Sequence, residues 1–329
     1  MNEIDSELLL GVTMIRGKRA MKIKVRVPAT SANCGPGFDC IGLALDIYST
    51  LELELKPEPG LDITLTGEGA KYIPTDERNI VWRSIKVLLE KAGMDNLYQG
   101  AVITMDNQGP MSRGLGSSAT AIVAGLKAAN TIIGNPYDRK ELLQIATEIE
   151  GHPDNVAPAI YGGFTISTVN DLGVECFAFR PKCNLQFVVA VPDFPLPTRE
   201  ARSVLPKMVK MSDAIYNIGR ASMMVAALCR GNVRFLKNVF DDKLHQPFRA
   251  ELIPGMYDVF EAARKAGAVG ACLSGAGPSI IAFIDEERDN AERVGEAMRT
   301  AFVRHDVKAA ILKPHLDTRG AYIVNDPLG

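Results

Sequence analysis

Residues 112–130 read SRGLGSSATAIVAGLKAAN: two glycines, paired serine hydroxyls and Arg113 stand directly before an Ala-rich run. A helix starting there leaves its first backbone N–H groups unpaired and carries about half a positive charge at that end. Gly114 and Gly116 let the backbone curl close to a bound anion, and Ser117 and Ser118 offer hydroxyl donors or a magnesium ligand. The alternative is a plain glycine turn closed by a serine N-cap. No lysine follows the last glycine, so the common nucleotide loop ending in Gly-Lys-Ser/Thr is excluded.

A second polar cluster occupies residues 150–163, EGHPDNVAPAIYGG. Glu150 falls in the last turn of an expected helix, where a carboxylate opposes the helix dipole at a cost of about 0.3–1 kcal/mol. A magnesium ion would offset that charge, and so would a nearby lysine or arginine. His152, Asp154 and Asn155 follow at once, on a proline-stiffened turn. Residues 28–42, PATSANCGPGFDCIG, break a strand with small polar residues and present Asn33 and Asp39. These two either meet a small polar ligand or bond their own backbone. LSGAGPS, residues 273–279, is a glycine turn between two strands, either a hairpin or a backbone-lined pocket wall.

The elements around these segments follow from periodicity. KIKVRVP and TLELEL alternate apolar and polar residues as half-buried strands do, and LDITLTG and AVITMD read the same way. In residues 79–93 Val81, Ile85, Leu88 and Leu89 share one helical face, with Gly93 as the stop. A helix is expected from about Ser117 to Gly134, and a second in YDRKELLQIATEIEG, where Asp138 and Glu141 have the spacing of a capping pair. From about Gln186 the pattern restarts with the buried strand FVVAV. Helices follow over 213–230, 255–266 and 290–305, and the strands GACLSG, SIIAFI and VKAAIL lie among them. Strands and helices alternating with hairpin-like returns read as α+β.

Bulk properties narrow the function classes. A chain of 329 residues, 47% hydrophobic and 23% charged, has the make-up of an ordinary globular protein with two domains. Its net charge of −2 provides no basic field for nucleic acid or an anionic membrane, so neither is an expected partner. Six cysteines without a C-x-x-C pair argue against a zinc ribbon or dithiol site and read as reduced thiols in the cytoplasm. Residues 1–20 carry acids at the front and do not have the pattern of a secretory signal.

The segments PATSANCGPGFDCIGLAL, GLGSSATA, EGHPDNVAPAIYGG and LSGAGPS, in this order and spacing, resemble the GHMP kinases, and among them the homoserine kinase branch. The resemblance runs from about residue 21 to the C-terminus. GLGSSA is shared by kinases of many alcohols, whereas HPDNVAPAIYGG and PATSANCGPGFD are far more specific to the branch. Cys34 departs from the pattern, which more often has an aliphatic residue there; it is expected in the pocket wall.

The resemblance implies an α+β, two-domain GHMP kinase fold with the active site in the cleft between domains. After an N-terminal extension, 1–20, come a ribosomal protein S5 domain 2-like ATP-binding domain, 21–180, and a ferredoxin-like domain, 181–329. It implies ATP and Mg²⁺, transfer of the γ-phosphoryl group to the side-chain hydroxyl of L-homoserine in threonine biosynthesis, and a homodimer. Carried onto this chain, Pro110, Arg113, Gly114, Leu115, Gly116, Ser117, Ser118 and Ala119 would surround the triphosphate, and Asn79 and Val81 the adenine. Ser118 and Glu150 would hold the metal. Asn33, Asp39, His152, Thr198, Arg202, Arg249 and Gly277 would bind the amino acid, Asp39 pairing its ammonium and the arginines forking onto its carboxylate. Without the resemblance both arginines read as surface residues. Asn155, Asp154 and Arg202 would act in catalysis. No lysine lies within residues 28–42 to assist an aspartate base. Direct attack without a strong base is therefore expected, with Asn155 orienting the hydroxyl.

Overall fold

The structure is a computed structural model and describes residues 21–324. The expected N-terminal extension, residues 1–20, lies outside the described residues. The chain opens with β1 (Lys22–Ala32) and β2 (Ile41–Lys56), an antiparallel pair whose register shifts between Pro28 and Ala29. Proline cannot donate to a ladder, and a shift at that point accommodates it. β1 continues four residues past Pro28, so the small polar stretch extends the strand before it turns, where a break was expected. β3 (Gly60–Gly67) runs parallel to β4 (Gly100–Asn107), and α1 (Ile80–Lys91) lies on the crossover that a parallel pair requires.

α2 (Ser117–Ile132) and α3 (Arg139–Glu150) follow. Asp138 and Glu141 close the expected capping box on α3, and Gly151 ends it in the left-handed conformation. Residues 153–155, expected on a turn, form the first turn of α4 (Pro153–Tyr161), with Pro153 where its missing N–H costs nothing. β5 (Phe164–Asn170) and β6 (Gly173–Phe179) join the first sheet, in which β5 pairs with the start of β2. Val25, Leu51, Ile103, Ile122 and Val156 join one core between this sheet and α1 to α4.

The second sheet begins at β7 (Leu185–Pro192). After it come α5 (Thr198–Ser203), α6 (Met211–Arg230), α7 (Gln246–Arg249) and α8 (Met256–Lys265). Then follow β8 (Gly270–Leu273), β9 (Ile280–Asp285), α9 (Ala291–Val303) and β10 (Ala309–Leu312). The strand order β10-β7-β9-β8, all antiparallel, with α8 and α9 on one face, is the ferredoxin-like arrangement. β7 is buried on both faces, which explains the unbroken FVVAV: Phe187 and Val189 face α6 and the first sheet, Val188 and Ala190 face α8 and α9. β11 (Tyr322–Ile323) returns to pair with β1.

The two sheets are joined by aromatic rings. Phe164 of β5 lies 6.4 Å from Phe187 and 6.5 Å from Phe283, which meet each other edge-on at 5.3 Å. Such contacts add about 0.5–1.5 kcal/mol each beyond the area they bury. Cys34, expected in the pocket wall, is fully buried in this inter-sheet core instead.

Candidate active site

The ends of β1, α3 and α5 and the starts of α2 and α4 converge on one cleft, closed from the second sheet by the loop between β8 and β9. Its enclosed part has a volume of about 130 Å³. That is well under the roughly 300–1,000 Å³ of sites for drug-sized ligands and suits a small metabolite.

The serine N-cap offered by sequence is not formed. Gly116, at φ 67°, is the N-cap of α2 and supplies no side-chain acceptor, so the first-turn N–H groups keep their electropositive end for something else. A side chain at Gly116 would strike the Thr30 hydroxyl, and one at Gly114 the carbonyl of Ser274. The curl is thus held against both sheets: Thr30 N–H donates to Leu115 O at 3.2 Å, and Ser274 Oγ donates to Gly114 O at 2.7 Å. Leu115 and Ala119 are buried and anchor the loop rather than line the cleft. Arg113 donates to three carbonyls, Pro192 at 2.9 Å, Met111 at 3.2 Å and Asp193 at 3.4 Å. It clamps the loop to the end of β7. Pro110 lies at the approach to this loop and outside the cleft lining.

Ser118, on the exposed side of the first turn, donates to Glu150 Oε2 at 2.7 Å. Among the described residues no lysine or arginine forms an ion pair with Glu150. Burial pushes its carboxyl above the usual carboxylate range, with Asp154's charge adding to this, while Ser118 and the positive charges of His152 and Arg202 offset part of it. A hydroxyl and an under-compensated carboxylate, both oxygen donors at the electronegative end of α3, fit a hard divalent cation such as Mg²⁺.

The start of α4 supplies the next group. His152 Nδ1 lies 2.5 Å from Asp154 Oδ1, and Asp154 is only 2% exposed. Burial works to lower the imidazole pKa, but the hydrogen bond and charge of Asp154 outweigh it and the net shift is upward. Asn155 receives the Thr30 hydroxyl on Oδ1 at 2.8 Å, which leaves its amide nitrogen toward Asp154 at 3.4 Å and toward the cleft.

Opposite them sit the charged groups of the other half. Arg202 donates to both carboxylate oxygens of Asp39, at 3.1 and 2.7 Å. Arg249, expected at the surface without the resemblance, is 1% exposed and borders the cleft from beneath. Burial and the like charge of Arg202 lower its pKa to about 10, and it stays a cation at neutral pH. Thr198, at the start of α5, lines the same opening. Asn33 spans two loops, donating to Gly275 O at 2.8 Å and accepting from Asp39 N–H at 3.0 Å.

Besides Pro110, Arg113, Leu115 and Ala119, three further sequence-derived residues lie outside the cleft lining. Asn79 caps α1 through Val81 N–H at 2.9 Å and donates to Pro74 O at 2.7 Å. Val81 is 1% exposed and belongs to the first core. At Gly277 an added side chain would meet Ile253 and Leu273, and Gly275 and Ala276 line the cleft in its place. Sequence reasoning passed over Thr30, Ser274, Phe38 and His245. Single polar or aromatic residues carry no spacing signal, and only the packing of distant segments exposes their role.

This fold and cleft define a small-molecule kinase of the GHMP class. The family descriptions "GHMP kinases N terminal domain" and "GHMP kinases C terminal" match residues 79–163 and 224–304. The homoserine kinase of Carboxydothermus hydrogenoformans is 44% identical over 90% of this chain and 95% of its own length. That of Moorella thermoacetica is 43% identical over 91% and 99%. The crystal structure of homoserine kinase from Cytophaga hutchinsonii superposes with a TM-score of 0.84, at 34% identity over 93% of this chain and 99% of that one. The chain belongs to the homoserine kinase family.

Proposed function

We propose that the chain transfers the γ-phosphoryl group of ATP to the side-chain hydroxyl of L-homoserine, giving O-phospho-L-homoserine and ADP in threonine biosynthesis. The observation that carries this is the Asp39–Arg202 pair with Arg249 beside it, a carboxylate and two guanidiniums beside an uncapped helix start. An amino-acid zwitterion is the complement of that set. Its ammonium replaces one guanidinium edge on Asp39, and its carboxylate takes the donors that Arg202 and Arg249 then offer. Asn33, His152 and Thr198 close the walls around it.

The triphosphate would lie along the cleft-facing residues of the loop, Ser112, Gly114 and Gly116 to Ser118, its anionic oxygens facing the first-turn N–H groups of α2. Ser118 and Glu150 would hold Mg²⁺, which when bound would offset the charge of the transferring phosphoryl group. Asn155 donates to the acceptor hydroxyl oxygen and turns a lone pair toward the γ-phosphorus. The new O–P bond forms as the bond to the bridging β,γ-oxygen breaks, and the hydroxyl proton passes to a phosphoryl oxygen. Asp154, already engaged by His152, supports the geometry and is not needed as a strong base; positioning and charge stabilisation supply most of the rate.

A homodimer is part of the proposal, supported by the exposed apolar stripe of Met211, Ile215 and Ile218 on α6. So is a cytoplasmic location, supported by six unpaired cysteines. Among the described residues no helix is long and apolar enough to cross a membrane. A domain boundary near residue 180 is supported by the change of sheet between Phe179 and Leu185. The deciding experiment is coupled ADP release with Mg²⁺-ATP and, in turn, L-homoserine, mevalonate, shikimate and galactose. Turnover with L-homoserine alone is expected. Turnover only with a neutral sugar or a mevalonate would overturn the zwitterion reading, and ATP binding without turnover would make the chain a sensor.

A further inference from the structure

We infer that His245 is a positioning residue that sets the reach between the two ends of the amino-acid substrate, by tying the loop that carries Asp39 to the guanidinium of Arg249. The inference rests on the reading of Arg249 as a carboxylate contact.

His245 is fully buried, immediately before α7, and does not line the cleft. Its two ring nitrogens have different partners. Nε2 lies 2.7 Å from Gly35 O and Nδ1 lies 3.0 Å from Arg249 Nη1. A guanidinium only donates and a carbonyl only accepts, so Nδ1 carries the lone pair and Nε2 the proton. The ring is therefore neutral in a single tautomer. An imidazolium would face the guanidinium N–H with an N–H of its own. Burial, and secondarily the charge of Arg249, lower the histidine pKa to about 4 against the opposing pull of Asp242, which agrees with that assignment.

Both partners of the ring are committed to the site. Gly35 belongs to a run of left-handed residues, Asn33, Cys34 and Gly35, that leads to Asp39. Asn217 of α6 holds the adjoining Pro36 O at 3.2 Å and Asp242 at 2.7 Å. Asp242 in turn accepts the His245 N–H at 2.9 Å, so loop, ring and α7 form one buried network. On the other side, Arg249 spends Nε on Ala201 O at 3.2 Å and Nη1 on His245 and on Gly275 O at 3.2 Å. Among the described residues Nη2 has no hydrogen-bond partner, and it is the edge of Arg249 left for an anion in the cleft. Phe38 completes the seat: it stacks on the imidazole at 5.1 Å, with the Arg249 and Arg202 guanidiniums 5.5 and 5.7 Å from its ring. The ammonium-side loop and the carboxylate-side cation are thus both located from one imidazole.

The test uses the full chain with His245→Asn, which is too short to span Gly35 and Arg249, and His245→Gln, which carries an acceptor and a donor at greater reach. Steady-state kinetics are measured with L-homoserine and with 2-amino-1,4-butanediol, which keeps the amine and the hydroxyl but lacks the carboxylate. H245N is expected to raise KM for L-homoserine roughly ten- to hundredfold, with kcat and KM for ATP within about threefold and KM for the diol, which loses only the loop tie, raised by a clearly smaller factor. H245Q is expected to recover most of the loss. Equal losses for both substrates, or an unchanged KM in a folded H245N, would overturn the inference. Histidine ¹⁵N NMR of the unaltered protein at neutral pH reads the tautomer directly, and a protonated Nδ1 overturns it without any variant. Arg249→Met separates the underlying reading: an unchanged KM for L-homoserine there removes Arg249 from the carboxylate, whatever His245 does.

Discussion

Arg202 of α5 and Asp39 of the β1–β2 loop meet across the cleft in a two-pronged pair, Nη1 to Oδ2 at 3.1 Å and Nη2 to Oδ1 at 2.7 Å. Each side chain keeps about a third of its surface open, 34% and 33%. A pair this exposed contributes little to folding, so its value lies in what it presents to a zwitterion. Arg202→Met and Asp39→Asn are each expected to leave thermal stability almost unchanged while raising KM for L-homoserine by roughly ten- to hundredfold. The exchange Asp39→Arg with Arg202→Asp restores the pair but reverses its polarity and is expected to stay defective. Recovery of activity in the exchange would mean that the pair serves only to close the cleft.

Glu150 has a burial-raised pKa and no cationic partner within ion-pair distance among the described residues. Removing its charge in Glu150→Gln is expected to reduce turnover by at least about a hundredfold, on the scale of lost charge stabilisation at a transferring group. Ser118→Ala, which keeps the carboxylate, should lose less and recover in part as Mg²⁺ is raised. ADP release measured across a Mg²⁺ series checks both; an E150Q enzyme within tenfold of the parent would remove Glu150 from the metal.

Asn79 separates a structural role from a nucleotide contact. Its side-chain oxygen caps α1 and its amide holds Pro74 O, so Asn79→Ala is expected to cost about 1 kcal/mol of stability. KM for ATP should change by less than threefold. A large rise in that KM with no loss in denaturation midpoint would instead return the side chain to the adenine.

His245 also predicts a pH dependence of stability. Its folded pKa of about 4 lies below the unfolded value of 6.5, so between these the unfolded chain binds more protons. Stability therefore rises with pH through this window and is lost as pH falls from 6.5 toward 4. At 1.36 kcal/mol per unit the full effect approaches roughly 3 kcal/mol. Urea midpoints compared at pH 7 and pH 5 should fall more for the parent than for His245→Gln. Parallel curves would show that the ring does not titrate on unfolding.

Much of the site was legible in local sequence because its parts are local. The glycine curl before α2, the capping box of Asp138 and Glu141, and Glu150 at the end of its helix each depend on neighbours within a few residues. What was misread depended on distance. Residues 153–155 look like a turn beside Gly151 and Pro153, yet Pro153 starts a helix because the apolar residues Val156, Ala157 and Ile160 then pack into the first core. Arg249 reads as exposed because charged side chains usually are, and only Ala201, His245 and Gly275 together make its burial tolerable.

By itself the sequence determined the alternation of strands and helices, the anion-accepting loop and the family, since periodicity, glycine placement and ordered motifs are properties of the chain. Tertiary structure decided which groups are free to act. It engaged Arg113 with three carbonyls, turned Asn79 into a cap, paired Asp39 with Arg202 and left α2 uncapped. A side chain's chemistry is written in its type, but its availability depends on which donors and acceptors the fold brings within about 3 Å of it.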